Sequence, residues 1–66
     1  MFLKVNGESI DVPAGLTIDA LLSHLGITRE YTAVAVNREI TPKGEYATVT
    51  LKDGDKIEIV RPMGGG

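Results

Sequence analysis

Three consecutive glycines, Gly64-Gly65-Gly66, stand almost directly after an apolar strand-like run and offer the sequence's clearest chemistry. A glycine segment has no side chains, so it can thread a narrow channel and take whatever φ and ψ that channel imposes. The reactive group such an end presents is its α-carboxylate, ionised at neutral pH. A carboxylate is a weak electrophile, because its charge repels nucleophiles and oxide leaves poorly. Attack on the α-phosphate of ATP would convert it to an acyl-adenylate, and sulfur could then displace AMP to give a thiocarboxylate. That chemistry needs a mobile end, a rigid body to be recognised, and a foreign active site. From Pro62 to Gly66 an extended chain reaches roughly 17 Å. A frayed, inert end is the competing reading, since chain termini are commonly disordered. The nearness of the glycines to the last strand favours the functional reading, because the tail then leaves from a fixed point.

Other residues with chemical potential are better explained by structure. His24 has no second His or Cys nearby, so it is expected on an exposed helix face and no metal site is expected. Asp53 and Asp55 resemble a carboxylate pair, yet an Asp-Gly turn accounts for both. Tyr31 and Tyr46 lack basic companions, so base stacking is not indicated. With no cysteine in 66 residues, disulfides, thiolate catalysis and cysteine-based metal sites are absent from this sequence. Seven Lys and Arg face nine Asp and Glu, for a net charge of −2, and the charges are interspersed along the chain. No basic face for nucleic acid can be assembled from that pattern. No apolar run approaches the roughly 18 residues of a membrane span, and no signal segment opens the chain. A cytoplasmic protein is expected. A chain this short buries only about 60% of its unfolded surface, leaving little room for a deep substrate pocket beside a core. An enzyme in its own right is therefore not expected.

The elements that would position the tail are legible from periodicity. Leu3 and Val5 alternate with Lys4 and Asn6, and Ile10 and Val12 alternate with Ser9 and Asp11, the period of half-buried strands. Asn6-Gly7 between them suits the φ > 0 residues of a tight hairpin turn. Ile18, Leu21, Leu22 and Leu25 share one helical face, with Thr17 as N-cap and Gly26 as the left-handed stop. About nine residues of helix cannot stand alone and must pack on a sheet. Thr32 to Asn37 reads as a strand, Ile40 to Val49 as a loop or short edge strands, and Leu51 to Asp55 as a turn. Lys56 to Val60 is the last strand, with Ile57 and Ile59 on one face and Pro62 as its stop. The class is α+β: one helix across a mixed sheet of four to five strands, with the first and last strands side by side at the centre. The expected organisation is a body of residues 1–61 followed by a flexible tail of residues 62–66.

Several stretches together resemble the ThiS family, the small sulfur carriers of thiamine biosynthesis. They are Val5-Asn6-Gly7, Leu16-Thr17-Ile18 leading to Leu21-Leu22, Val34-Ala35-Val36-Asn37 before Ile40, and Asp53-Gly54-Asp55-Lys56-Ile57-Glu58-Ile59-Val60 followed closely by Gly-Gly. The resemblance covers nearly the whole chain. It implies a ubiquitin-like β-grasp fold, no catalytic residues, no bound cofactor and no metal. It also implies adenylation of Gly66 with ATP by an E1-like enzyme of the ThiF type. A sulfur donor then gives the thiocarboxylate, which passes sulfur to a thiazole synthase of the ThiG type. Gly65 and Gly66 match the family's terminal pair and Gly64 the extra glycine of many members. Arg61-Pro62-Met63 departs from a more uniformly apolar approach.

Phe2, Val60 and Met63 are expected off the core face near the base of the tail, as a docking patch for these partners, with Arg61 either pairing an acidic partner surface or simply solvated. The free protein is expected to be a monomer, without a nucleic-acid or membrane partner. Three rival readings remain: the related molybdopterin-synthase small subunit, a protein-modifying ubiquitin-like protein, and a non-covalent β-grasp interaction module with inert glycines.

Overall fold

The structure, a computed structural model, describes residues 1–28, 30 and 32–61. The expected tail, with Met63, Gly64, Gly65 and Gly66, lies outside the described residues, as does Tyr31.

Strand β1 (Phe2–Val5) turns at Asn6-Gly7 into β2 (Glu8–Asp11). Both turn residues have positive φ, 50° and 87°, as the expected hairpin requires. Helix α1 (Ile18–Leu25) follows. Its N-cap is Thr17, whose side chain accepts from the Ala20 N–H at 3.2 Å. It ends at Gly26, with φ 72°, and the Ile27 N–H donates back to the Leu22 carbonyl at 2.8 Å. These bonds satisfy end groups that the helix itself leaves open.

Strands β3 (Ala33–Val36) and β4 (Glu39–Thr41) form a second hairpin. Its turn, Asn37-Arg38, also has two positive φ values, 52° and 72°. Arginine is an unusual occupant of that conformation, which is why the sequence reads as a strand and not as a hairpin here. A short 3-10 turn (Lys43–Glu45) precedes β5 (Lys56–Val60).

The five strands form one sheet in the order β2-β1-β5-β3-β4. Thus β5 occupies the centre, parallel to β1 and antiparallel to β3, the arrangement of a β-grasp fold. Leu3, Val34, Ile57 and Ile59 point to one face, where Ile18, Leu21 and Leu22 of the helix cover them. Burial of each such side chain contributes on the order of 1.5–3 kcal/mol. The alternation of β5, with Lys56, Glu58 and Val60 exposed and Ile57 and Ile59 buried, follows directly. Tyr46 is the largest fully buried side chain, although its segment carries no periodic signal. Among the described residues no helix is long and apolar enough to cross a membrane.

Candidate functional site

Because the tail follows β5, the site begins at the end of that strand. Val34 pairs with Ile59 and Ala33 with Val60, so β3 supports β5 up to its last residue. On the other side, Asn6 reaches across: the Ile59 N–H donates to Asn6 Oδ1 at 2.8 Å, and Asn6 Nδ2 donates to the Ile59 carbonyl at 3.3 Å. At the start of the strand Asn37 does similar work. The Lys56 N–H donates to Asn37 Oδ1 at 3.0 Å, and Asn37 Nδ2 donates to Asp55 Oδ1 at 3.1 Å. The strand that launches the tail is therefore fastened at both ends.

Of the expected docking residues, Val60 is exposed (63%) at the strand's end and Arg61 is exposed beside it. Phe2 is also exposed, but not near the base of the tail. Parallel pairing of Lys4 with Lys56 and Val5 with Ile57 sets Phe2 against the turn before β5. There its N–H donates to Asp53 Oδ1 at 2.7 Å and its carbonyl accepts from the Gly54 N–H at 2.7 Å. From Gly54, which meets Phe2, to Val60 the chain advances six residues, about 20 Å if extended. The grouping of Phe2 with Val60 is thus corrected. The outward residue beside Val60 is instead Ala33; Ile40, 72% exposed, shares that outward face two strands over on β4, in the row of Ala35 and Glu58. Sequence reasoning missed Ile40 as a surface residue because an isolated isoleucine in a three-residue edge strand signals nothing by itself.

The charges also group more than their spacing along the chain suggests. Lys4 and Lys56 sit directly opposite each other on the outward face, and with Arg38 they line a shallow concavity of about 310 Å³ together with Asn6, Gly7 and Glu58. Three cations and one carboxylate thus share this corner of the outward face. A larger concavity of about 600 Å³ runs beside α1, where Asp19 is the one titratable residue among the described lining.

Asp53 and Asp55 serve turns: Asp53 holds Phe2, and Asp55 Oδ2 accepts from the Lys52 N–H at 2.8 Å. His24 is exposed on the helix, and no cluster of three potential metal ligands exists among the described residues. The described surface thus offers recognition features around the end of β5.

Comparison with known proteins agrees with this geometry. The ThiS family model matches residues 3–66. The crystal structure of a thiamine biosynthesis protein (ThiS) from Geobacter metallireducens superposes with a TM-score of 0.87 at 38% identity, covering 100% of both chains. The sulfur carrier protein ThiS of Escherichia coli is 30% identical over 66 residues, 100% of each. A thiazole synthase of Paramagnetospirillum magneticum is 48% identical over 66 residues, and the chain spans only 20% of that protein's length. Fold, central strand and a family match running through the glycines converge: the chain belongs to the ThiS family of sulfur carriers.

Proposed function

We propose that the chain carries sulfur for thiamine biosynthesis as a thiocarboxylate on Gly66, acting as a co-substrate in the cytoplasm and not as a catalyst. In the pocket of an E1-like, ThiF-type enzyme, a Gly66 carboxylate oxygen attacks the α-phosphorus of ATP and pyrophosphate leaves. A sulfur nucleophile at the sulfide level, delivered by a donor, then attacks the acyl carbon; AMP leaves and the thiocarboxylate remains. A ThiG-type thiazole synthase receives that sulfur. Gly64 and Gly65 cross the partner's channel, where any side chain would collide.

The observation that carries this reading is the family match extending from residue 3 through Gly66, which places the glycines inside the shared pattern. The matching stretch within a thiazole synthase favours thiazole formation over molybdopterin as the destination. Intact-mass measurement tests the proposal after incubation with ATP, the adenylating enzyme and a sulfide source. An adenylate, then an oxygen-to-sulfur mass change, is expected. An unchanged mass, with partner function intact in a chain lacking Gly65 and Gly66, would point to a non-covalent module.

Docking is assigned to the exposed apolar residues of the outward face, Val60 at the end of β5 and Ile40 on β4. The double substitution Ile40→Thr and Val60→Thr keeps β-branched shape at two exposed positions, so stability should change by about 0.5 kcal/mol or less. It is expected to raise the adenylating enzyme's KM for the chain roughly tenfold with kcat little changed, as loss of interface contacts does. Phe2→Ala, at the far end of β5, should leave KM where it was. Equal effects from both variants would move the docking surface elsewhere.

A further inference from the structure

We propose that Asn6 is a positioning residue that fixes where the tail leaves the body, a role that rests on the carrier reading above. The pairing of β1 with β5 ends at Val5 and Ile57, because the chain turns away at Asn6-Gly7. A parallel ladder carried further would occupy the Ile59 N–H and carbonyl with the next backbone groups of β1. Those groups have left for the hairpin. The Asn6 carboxamide stands in for them, since a primary amide carries the same acceptor and donor as a peptide unit. Its Oδ1 takes the Ile59 N–H at 2.8 Å and its Nδ2 meets the Ile59 carbonyl at 3.3 Å.

The consequence lies one and two residues downstream. With Asn6 in place, the end of β5 is held at both edges, by Asn6 at Ile59 and by its pairing with β3. Without it, β3 alone would guide the end of β5, and the direction in which residue 61 departs would be less defined. A reacting atom must come within about 3–3.5 Å of its target, and a displacement of about 1 Å can lower rate on the order of a hundredfold. The partner must meet the body and receive the tail together, so a swing at the base lowers the share of encounters in which a tail reaching roughly 17 Å finds its channel.

The fold supplies its own control. Asn37 heads the other hairpin turn at φ 52°, close to the 50° of Asn6, and fastens β5 at its opposite end through Lys56. Glycine accepts positive φ without strain, so Asn6→Gly and Asn37→Gly keep both turns while deleting one clamp each. Both variants should lower the melting temperature by a similar few degrees. In Asn6→Gly, amide exchange at Ile59 should accelerate about tenfold relative to that at Leu22, the loss expected for one local pair of hydrogen bonds. At a temperature where all chains are folded, kcat/KM for adenylation by the cognate enzyme with ATP should fall about tenfold or more in Asn6→Gly and stay within about twofold in Asn37→Gly.

If the two variants fall together, or Asn6→Gly stays within about twofold of the parent, the positioning role is wrong. If the parent chain is itself never adenylated, the carrier reading fails and takes this role with it, whatever the exchange data show. Should Asn6→Gly not fold, Asn6→Asp gives the same readout. It tolerates the turn and keeps the acceptor for the Ile59 N–H, but sets an anionic oxygen against the Ile59 carbonyl.

Discussion

A chain lacking Gly65 and Gly66 is expected to melt where the full chain melts and to accept neither AMP nor sulfur. Among the described residues the buried cluster is drawn from Leu3 to Ile59, and two glycines carry no side chains to add to it. The new carboxylate on Gly64 would stop about 7 Å short of the position that the original reaches. Proximity supplies factors of 10⁵ or more when reacting atoms are held within about 3.5 Å, so the loading rate should drop by at least about a thousandfold. Pyrophosphate release together with intact mass reads this directly, and restoring the two glycines should restore loading. A truncated chain that still took up AMP at the parental rate would remove the terminal carboxylate from the mechanism.

Tyr46→Ala should remove a large part of the chain's stability, about 3–5 kcal/mol. Tyr46 is 0% exposed and sits in the main apolar cluster with Leu3, Ile18, Leu21 and Ile57. Truncating a buried aromatic to alanine costs about 3–5 kcal/mol. A domain of this length has a total stability of roughly 3–10 kcal/mol, taking about 0.05–0.15 kcal/mol per residue. The single substitution therefore consumes much or all of the margin. Urea titration followed by circular dichroism would show it as a lost or strongly shifted transition. A midpoint close to the parent's would mean that the 3-10 segment around residue 46 can rearrange without harm, and that the core stands on the helix and sheet alone.

The contrast between these two sites shows what could be read from the sequence. The glycine run stands out in the sequence because it is a local signal that needs no neighbours, and the chemistry assigned to it is a proposal that lies outside the described residues. The first hairpin, the helix with Thr17 and Gly26 at its ends, and the alternation of β5 were legible for the same reason, each being a pattern within about ten residues. Tyr46 was not, because its burial follows from long-range packing over an irregular segment with neither a two-residue nor a 3.6-residue period. The displacement of Phe2 from Val60 was hidden in the parallel register of β1 on β5, which no adjacent residues encode. The same register creates the Lys4–Lys56 juxtaposition, so charges that alternate with other residues along the chain gather on the folded face. Asn6 reads as turn chemistry and is so, but its side chain also joins two positions 53 residues apart.

The sheet's middle position has a consequence for synthesis. Every strand that borders β5 precedes it in the chain, so the sheet cannot close until residue 60 has emerged from the ribosome. Pairings between distant segments also form slowly compared with local ones. An interrupted translation product would therefore lack its centre, leaving two disconnected hairpins with open edges. A closed sheet, and with it a fixed position for residue 60, is thus a property of the completed body and of no shorter piece of it.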